Sequence, residues 1–503
     1  MKTQSLSIKE KIGYSLGDLS ANLVFQALIT FLAFFYTEIY GLNENDSSWI
    51  IFIVGIVGAC LFNPIIGALA DRTNSKWGKF RPWILWTAVP LGISSVLLFT
   101  TPNFSYQGKV VYAVVTYTLL LLLYAGSNLP YSALSGVITG DMKERNSISS
   151  YRFVAVMVAQ FFVQVLMLPL VIHVGKIQVN NGASVEMFRN VTEVPGVSIT
   201  DFETAYQAVG MESVMTWMAI VGTILLLITF FTTKERIVPK QEESTSIKED
   251  FNYLTKNSPW IIILTVTTLL FITLSMRGGS GIFYFKNYIS SEELEIFLHP
   301  LLNTINNLGI EFFNDIPSAG FGIFNGGGII FMILGISLSK PLADKFGKRN
   351  IFGLFLFIST FFIIVFYFFK SDQILLVFLS QILHGFFYGV TIPLLWAMIA
   401  DVADYSEWKF YKRATALIFS AMMVGLKVGL SIGGALIPKI LNIYGYNKDL
   451  DIQSEQAING TKMLMSLYPS IPFLIAVGLL YFYCIDKKME ENIEKDLLQR
   501  RDK

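Results

Sequence analysis

Charge is scarce in this chain. Only 15% of its 503 residues are Asp, Glu, Lys or Arg, where water-soluble domains carry about 25%, and this excludes an ordinary water-soluble enzyme. The two cysteines, Cys60 and Cys484, both lie in apolar runs, so neither a disulfide framework nor a thiolate metal motif is available. His173, His299 and His384 are too scattered for a zinc site, and no phosphate-binding glycine loop or nucleophile elbow occurs. Neither sign of charge gathers into a block and the net charge is +1, which argues against a nucleic-acid partner. Nothing points to catalysis, a cofactor or a bound metal. The first apolar run, after the polar segment 1–11, is longer than a signal-peptide core and lacks a small-residue cleavage site near its end, so it reads as a retained span.

What is abundant is apolar length. Hydrophobic residues make up 53% of the chain, with 42 Phe and 22 Tyr. Runs of about 20 residues, enough for a helix to cross a bilayer core of about 30 Å, predict twelve spans: 17–40, 48–70, 82–101, 110–139, 153–174, 214–231, 260–288, 319–339, 351–369, 374–400, 416–441 and 462–485. None alternates as barrel strands do. The expected fold is therefore an all-α membrane protein. With the N-terminus inside, 28 of the 38 Lys and Arg fall on inner segments, so both termini are expected on the cytoplasmic side of an inner membrane.

The charged stretch near 234–258 divides the spans six and six. It predicts an N-terminal bundle over 1–233, a cytoplasmic linker over 234–258, and a C-terminal bundle over 259–503 with an outer insertion near 289–318. A repeat supports the division. Span 2 ends Leu69-Ala70-Asp71 followed by Trp77-Gly78-Lys79, and span 8 ends Leu342-Ala343-Asp344 followed by Phe346-Gly347-Lys348. Spans 4 and 10 also correspond, each interrupted by a proline, Pro130 and Pro393. Two pseudo-symmetric six-helix bundles around a central cavity are the layout of major-facilitator secondary transporters. The long outer segments 175–213 and 289–318 exceed that layout. Leu294, Phe297, Leu298, Leu301, Leu302, Ile305 and Leu308 recur at helical spacing, fitting either a helix in the outer interface or a solvated lid.

Polar groups inside spans are expensive and mark pathways. Asp18, Asn22 and Gln26 share one face of span 1, and Asp18 is the one carboxylate placed to reach a central cavity; the alternative is a cap at the span's inner end. Tyr124 and Asn128 lie on span 4, where they either line the cavity or bond helix to helix. Arg152 opens span 5 and is the natural partner of Asp18. Arg277 precedes the glycine-rich break Gly278-Gly279-Ser280-Gly281 in span 7. Lys427 lies too deep in span 11 to snorkel, and Trp396 in span 10 offers either a stacking face for a sugar ring or core packing.

The segment from Gly67 through Asp71, Arg72, Lys76, Trp77, Gly78, Lys79, Phe80 and Arg81 to Pro82 resembles the signature of the glycoside-pentoside-hexuronide cation symporters. So do Lys11 to Asp18, the run Asn128-Leu129-Pro130-Tyr131, and Trp396 to Trp408 followed by Arg413. The resemblance covers nearly the whole chain apart from the two long outer segments, and is strongest to members that take xylosides and other short glycosides. It implies a sugar site of Asp18, Tyr124, Asn128, Arg152, Trp396 and Lys427, with Asn22 beside it and Arg277 as a further basic position. It also implies a cation site on spans 2 and 4, but the corresponding positions read Ala59, Phe62, Asn63 and Ala125, so both carboxylates are missing. Sodium coupling at that site is not expected, which leaves proton coupling through Asp18 or no coupling. The resemblance further implies that Asp71 with Arg72, Lys79 and Arg81, and Asp344 with Lys348 and Arg349, together with Arg413, form inner-face contacts that hold the outward-open state and break when the cavity opens inward.

The expected function is import of a sugar or short glycoside, possible uronic substrates included, by a monomer in the lipid bilayer working through alternating access. Two other readings stay open: a lipid or lysolipid transporter, which predicts an apolar side cleft, and a non-transporting sugar sensor.

Overall fold

The computed structural model describes residues 6–139, 142–181, 199–236, 255–411, 415–448, 450 and 452–501. Among them, twelve helices are long and apolar enough to cross a membrane. They are α1 (Ile8–Ile39), α2 (Glu44–Arg72), α3 (Arg81–Leu98), α4 (Tyr106–Ile138), α5 (Ser147–Asn180), α6 (Glu203–Thr232), α7 (Ser258–Asn287), α9 (Ile316–Phe346), α10 (Lys348–Phe368), α11 (Ile374–Phe410), α12 (Leu417–Ile443) and α13 (Glu455–Leu480). Two further helices complete the order: α8 (Ser291–Asn307) between α7 and α9, and α14 (Lys487–Arg501) at the C-terminal end. No strand occurs among the described residues. Most of the linker expected over 234–258 lies outside them, as does much of the first long outer segment.

Local chemistry explains where the helices begin. Side chains of Ser7, Asn43, Ser105, Asn257, Ser290, Asp315 and Ser454 each accept a hydrogen bond from a backbone N–H in the first turn, satisfying donors that a helix start leaves open. Glu235 does the same for α3 from a distance. Its carboxylate accepts from the backbone N–H of Lys79, Phe80 and Arg81 at 2.7–2.9 Å, an anion placed at a positive helix end. Within α2, Gly58–Phe62 widens into a π-helical turn just before Pro64. Proline has no N–H for the carbonyl four residues earlier, so the turn opens there.

With twelve spans, both ends of the chain lie on one side, here the terminal face; the other is the far face. The first six spans and the last six each pack tightly. In the second set, α9 and α11 meet backbone to backbone: a Cβ on Gly385 would collide with the Gly328 carbonyl, and one on Gly389 with that of Met332, a small-residue crossing typical of membrane helices. The sets join mainly towards the far face. Phe31 meets Phe321 edge-on, Phe34 meets Phe283, and all four are buried. Lys286 pairs with Glu38 at 3.1 Å, and Lys439 donates to Asn45 at 3.0 Å.

The segment after α7 contains α8. Leu294, Leu298 and Leu302 of α8 are buried, Leu294 against Gly320 of α9, and Phe297 packs on Phe378 of α11. It covers the far ends of the second set.

Candidate functional site

The centre of the first set is built around Asp18. Arg152 donates from Nε to Asp18 Oδ2, and its Nη2 approaches Oδ1 at 3.5 Å. The pair stands over an aromatic floor. The rings of Tyr14 and Tyr131 stack with centroids 4.6 Å apart, and the guanidinium carbon lies 5.7 and 5.5 Å from them. Each tyrosine hydroxyl donates to the other's backbone carbonyl, at 3.0 and 2.8 Å, which clasps α1 to α4. Gly17 permits the approach, since a Cβ there would strike the Tyr131 ring. Asn22 turns back to donate to the Asp18 carbonyl at 2.9 Å, while Gln26 accepts from Gln164 of α5 at 3.1 Å. A guanidinium has five N–H donors and a carboxylate about four acceptor positions. The pair therefore keeps valences free for neighbouring hydroxyl groups.

A second cluster adjoins on α4. Asn128 donates to the Tyr124 hydroxyl at 2.7 Å, and Ser132 donates to the Asn128 carbonyl oxygen at 3.2 Å. Ser132 is exposed although it bonds within the site. Lys427 reaches in from the second set, donating to Asn63 Oδ1 at 2.7 Å and lying 5.8 Å from the Tyr124 ring centre. These contacts link α1, α2, α4, α5 and α12.

Ala59 and Ala125 are buried and offer no side-chain oxygen, Phe62 offers none, and Asn63 spends its oxygen on Lys427. No group of three or more His, Cys, Asp or Glu that could hold a metal occurs among the described residues. Hard cations take several oxygen ligands, and this set does not fit a sodium ion.

Two candidates stand apart. Arg277 is buried in the second set, where Nη2 donates to Gln381 at 2.6 Å and the guanidinium lies over Phe366; its contacts do not include the Asp18 cluster. Trp396 is 37% exposed on α11 and makes no ring contact among the described residues.

The Asp71 and Asp344 motifs make their contacts within their own sets. Asp71 pairs with Lys79 at 2.8 Å, and Arg81 donates to the Phe230 carbonyl, all inside the first set. Asp344 forms no ion pair among the described residues; instead Lys348 binds Asp401 and Glu490, and Arg349 donates to the Tyr483 carbonyl, all inside the second set. Arg72 is exposed, and Arg413 lies outside the described residues. Each of these contacts joins parts of one set. Sequence patterning alone does not single out Tyr14, Gln164 or Lys286. Only helical spacing from Asp18 could have flagged Tyr14, and Lys286 near a span end reads as an interface anchor.

The MFS/sugar transport protein family matches over residues 13–487. The chain is 32% identical to "Putative glycoside/cation symporter YagG" of Escherichia coli (strain K12), covering 99% of this chain and 96% of that protein. It is 28% identical to the "Isoprimeverose transporter" of Lactiplantibacillus pentosus, covering 98% and 91%. The crystal structure of the nucleoside transporter NupG superimposes with a TM-score of 0.58 at 14% identity, covering 95% of this chain and 100% of that one.

Proposed function

The chain belongs to the MFS/sugar transport protein family, the glycoside-pentoside-hexuronide branch of the major facilitator superfamily, and from that premise we propose that it imports a short glycoside by alternating access. It is an integral multi-pass transporter and not an enzyme. The proposal puts both termini in the cytoplasm of a cell whose inner membrane it spans, because most Lys and Arg lie on the terminal face. It also takes 1–233 and 259–503 as the two moving bundles, joined by the linker.

The observation that carries the reading is the Asp18–Arg152 pair on its tyrosine floor. Charged groups with spare valences make paired hydrogen bonds to vicinal hydroxyls, and aromatic faces suit the C–H face of a pyranose. Tyr124, Asn128 and Lys427 complete the polar wall, with Trp396 as a further stacking surface and Asn22 at its edge; Arg277 is a further basic position within the second bundle. Sodium does not drive the cycle through Ala59, Phe62, Asn63 and Ala125, and a proton taken up by Asp18 is the coupling ion. Arg152 and Lys427 outnumber Asp18 in the cluster, and Arg277 adds a further positive charge in the second bundle, which favours a uronic glycoside over a neutral one. The test is uptake into proteoliposomes of neutral and uronic glycosides with sodium and proton gradients imposed separately. Uptake that follows the proton gradient alone and vanishes in Asp18→Asn supports the reading; uptake of no glycoside overturns it.

One observation favours a lipid or lysolipid substrate. A lateral cleft of about 540 Å³ between α1, α5 and α6 is lined by Leu19, Leu23, Val158, Phe162, Trp217 and other apolar residues. A headgroup needs polar partners, and this lining supplies none, so the sugar reading stands first.

A further inference from the structure

We infer that the glycoside this protein moves carries a small apolar aglycone, a phenyl ring or a short alkyl chain, and that this group occupies a cavity on the far side of the Asp18 cluster. The inference rests on the sugar-transport reading above and names the class of substrate within it.

The cavity measures about 80 Å³ and lies between the bundles, with α1, α2 and α4 on one side and α7 and α12 on the other. Tyr124 and Lys427 belong both to its wall and to the polar cluster, so the two spaces adjoin. Phe25, on the same wall, follows Asp18 by seven residues, about 10 Å along α1 at a rise of 1.5 Å per residue. A sugar ring bonded to Asp18 fills that rise, and the group attached to it arrives at the level of Phe25. Leu32, two turns further on, borders the far end of the cavity beside the buried Phe31.

The lining is mostly carbon, supplied by Phe25, Leu28, Leu32, Ile51, Leu121 and Leu430. The polar groups beside it are turned elsewhere. Ser275 donates to the Leu430 carbonyl at 3.0 Å, Ser431 to the Lys427 carbonyl at 2.9 Å, and the Lys427 ammonium to Asn63 at 2.7 Å. Phe25 and Tyr124 present nearly parallel rings, tilted by 14° with centroids 6.4 Å apart, and such faces suit an aromatic or aliphatic guest. From α2 the two turns that follow Ile51 bring only Gly55, Gly58 and Ala59 to the wall, so no side chain longer than a methyl fills the gap from there. A carboxylate at position 59 would charge this space, whereas the methyl group leaves it apolar. Close-packed interiors leave few voids of this size. At about 10–15 Å³ for each water-sized place, it has room for about five to eight non-hydrogen atoms. A phenyl ring or a butyl chain fits that count. A second sugar ring exceeds it and brings hydroxyls that this lining would leave unpaired.

The test is titration calorimetry on the purified full-length protein, with the methyl, phenyl and 2-naphthyl β-glycosides of xylose and of glucuronic acid, and with xylobiose. Wild type is expected to bind the phenyl glycosides tighter than the methyl ones by about tenfold or more, as burial of an apolar ring implies, and to bind xylobiose no tighter than methyl xyloside. Leu28→Trp, which fills the cavity, should bring the phenyl-to-methyl affinity ratio down to about one. Leu28→Ala, which enlarges it, should raise the naphthyl-to-phenyl ratio by about tenfold. A ratio taken within one variant does not move when part of the sample is unfolded, and if Leu28→Trp fails to fold, Leu28→Ala decides alone. Wild type that binds methyl and phenyl glycosides alike overturns the inference, as does wild type that favours xylobiose, or an unchanged ratio in a folded Leu28 variant. Wild type that binds none of these glycosides overturns the sugar reading instead.

Discussion

The ion pairs at the two faces of the membrane are wired differently. At the terminal face, Lys79 binds Asp71 within the first bundle, and Lys348 binds Asp401 and Glu490 within the second. At the far face, Lys286 of the second bundle binds Glu38 of the first. A contact inside a bundle travels with it and costs nothing when the bundles rock. A contact between bundles must be broken before that face can open, so it biases the equilibrium between the two states. The position of a charge pair relative to the bundle boundary, rather than its strength, decides whether it acts as a switch.

The largest effect is expected where both requirements of the site meet. Asp18→Ala leaves the Arg152 guanidinium without its anion, and breaking a buried pair costs about 3–5 kcal/mol. Glycoside affinity measured by titration calorimetry should fall by a factor on the order of a hundred or more, with the far face remaining closed. Next comes Glu38→Gln. The Glu38 side chain is only 4% exposed, so removing its charge should shift the equilibrium by about 1–3 kcal/mol towards opening at the far face. A cysteine placed at Thr30, which is buried in the closed state, would then react faster with an impermeant maleimide added on that side. If its reactivity did not change, the far-face pair would be a passenger and the contrast would collapse.

Lys348→Gln should act within its own bundle. It releases Glu490 at the start of α14 as well as Asp401, lowering the melting temperature by a few degrees without changing the reactivity at position 30. The smallest effect is reserved for Asp71→Asn. Its side chain is 68% exposed, and exposed pairs are worth about 0–1 kcal/mol, so exchange rate and conformational populations should stay at wild-type values. A large change would mean that Asp71 finds a partner across the boundary in the other state.

The spans were legible because lipid leaves the backbone no partner outside the helix, so each crossing must be written as a long apolar run. Their ends were not. α1 starts at Ile8 and α11 continues to Phe410, past Asp401, Asp404 and Glu407, because hydropathy marks the bilayer while the helices extend beyond it into water. Asp18 and Arg152 could be matched in advance by sign and depth. The link from Lys427 to Asn63 could not, since it depends on how two bundles far apart in sequence meet. Arg277 shows the limit of grouping by charge: its neighbours, Gln381 and Phe366, are unremarkable as sequence.

The glycine crossing of α9 and α11 has a mechanical consequence. With Gly385 and Gly389 set against the carbonyls of Gly328 and Met332, the two backbones touch directly at the crossing, with no side chain between them there to absorb strain. The pair behaves as one stiff beam. A 31-residue helix such as α9 is about 46 Å long at a rise of 1.5 Å per residue, so tilting it about 10° around its middle swings each tip by about 4 Å. If the opposite bundle mirrors the movement, the doorway widens by about the width of a pyranose ring.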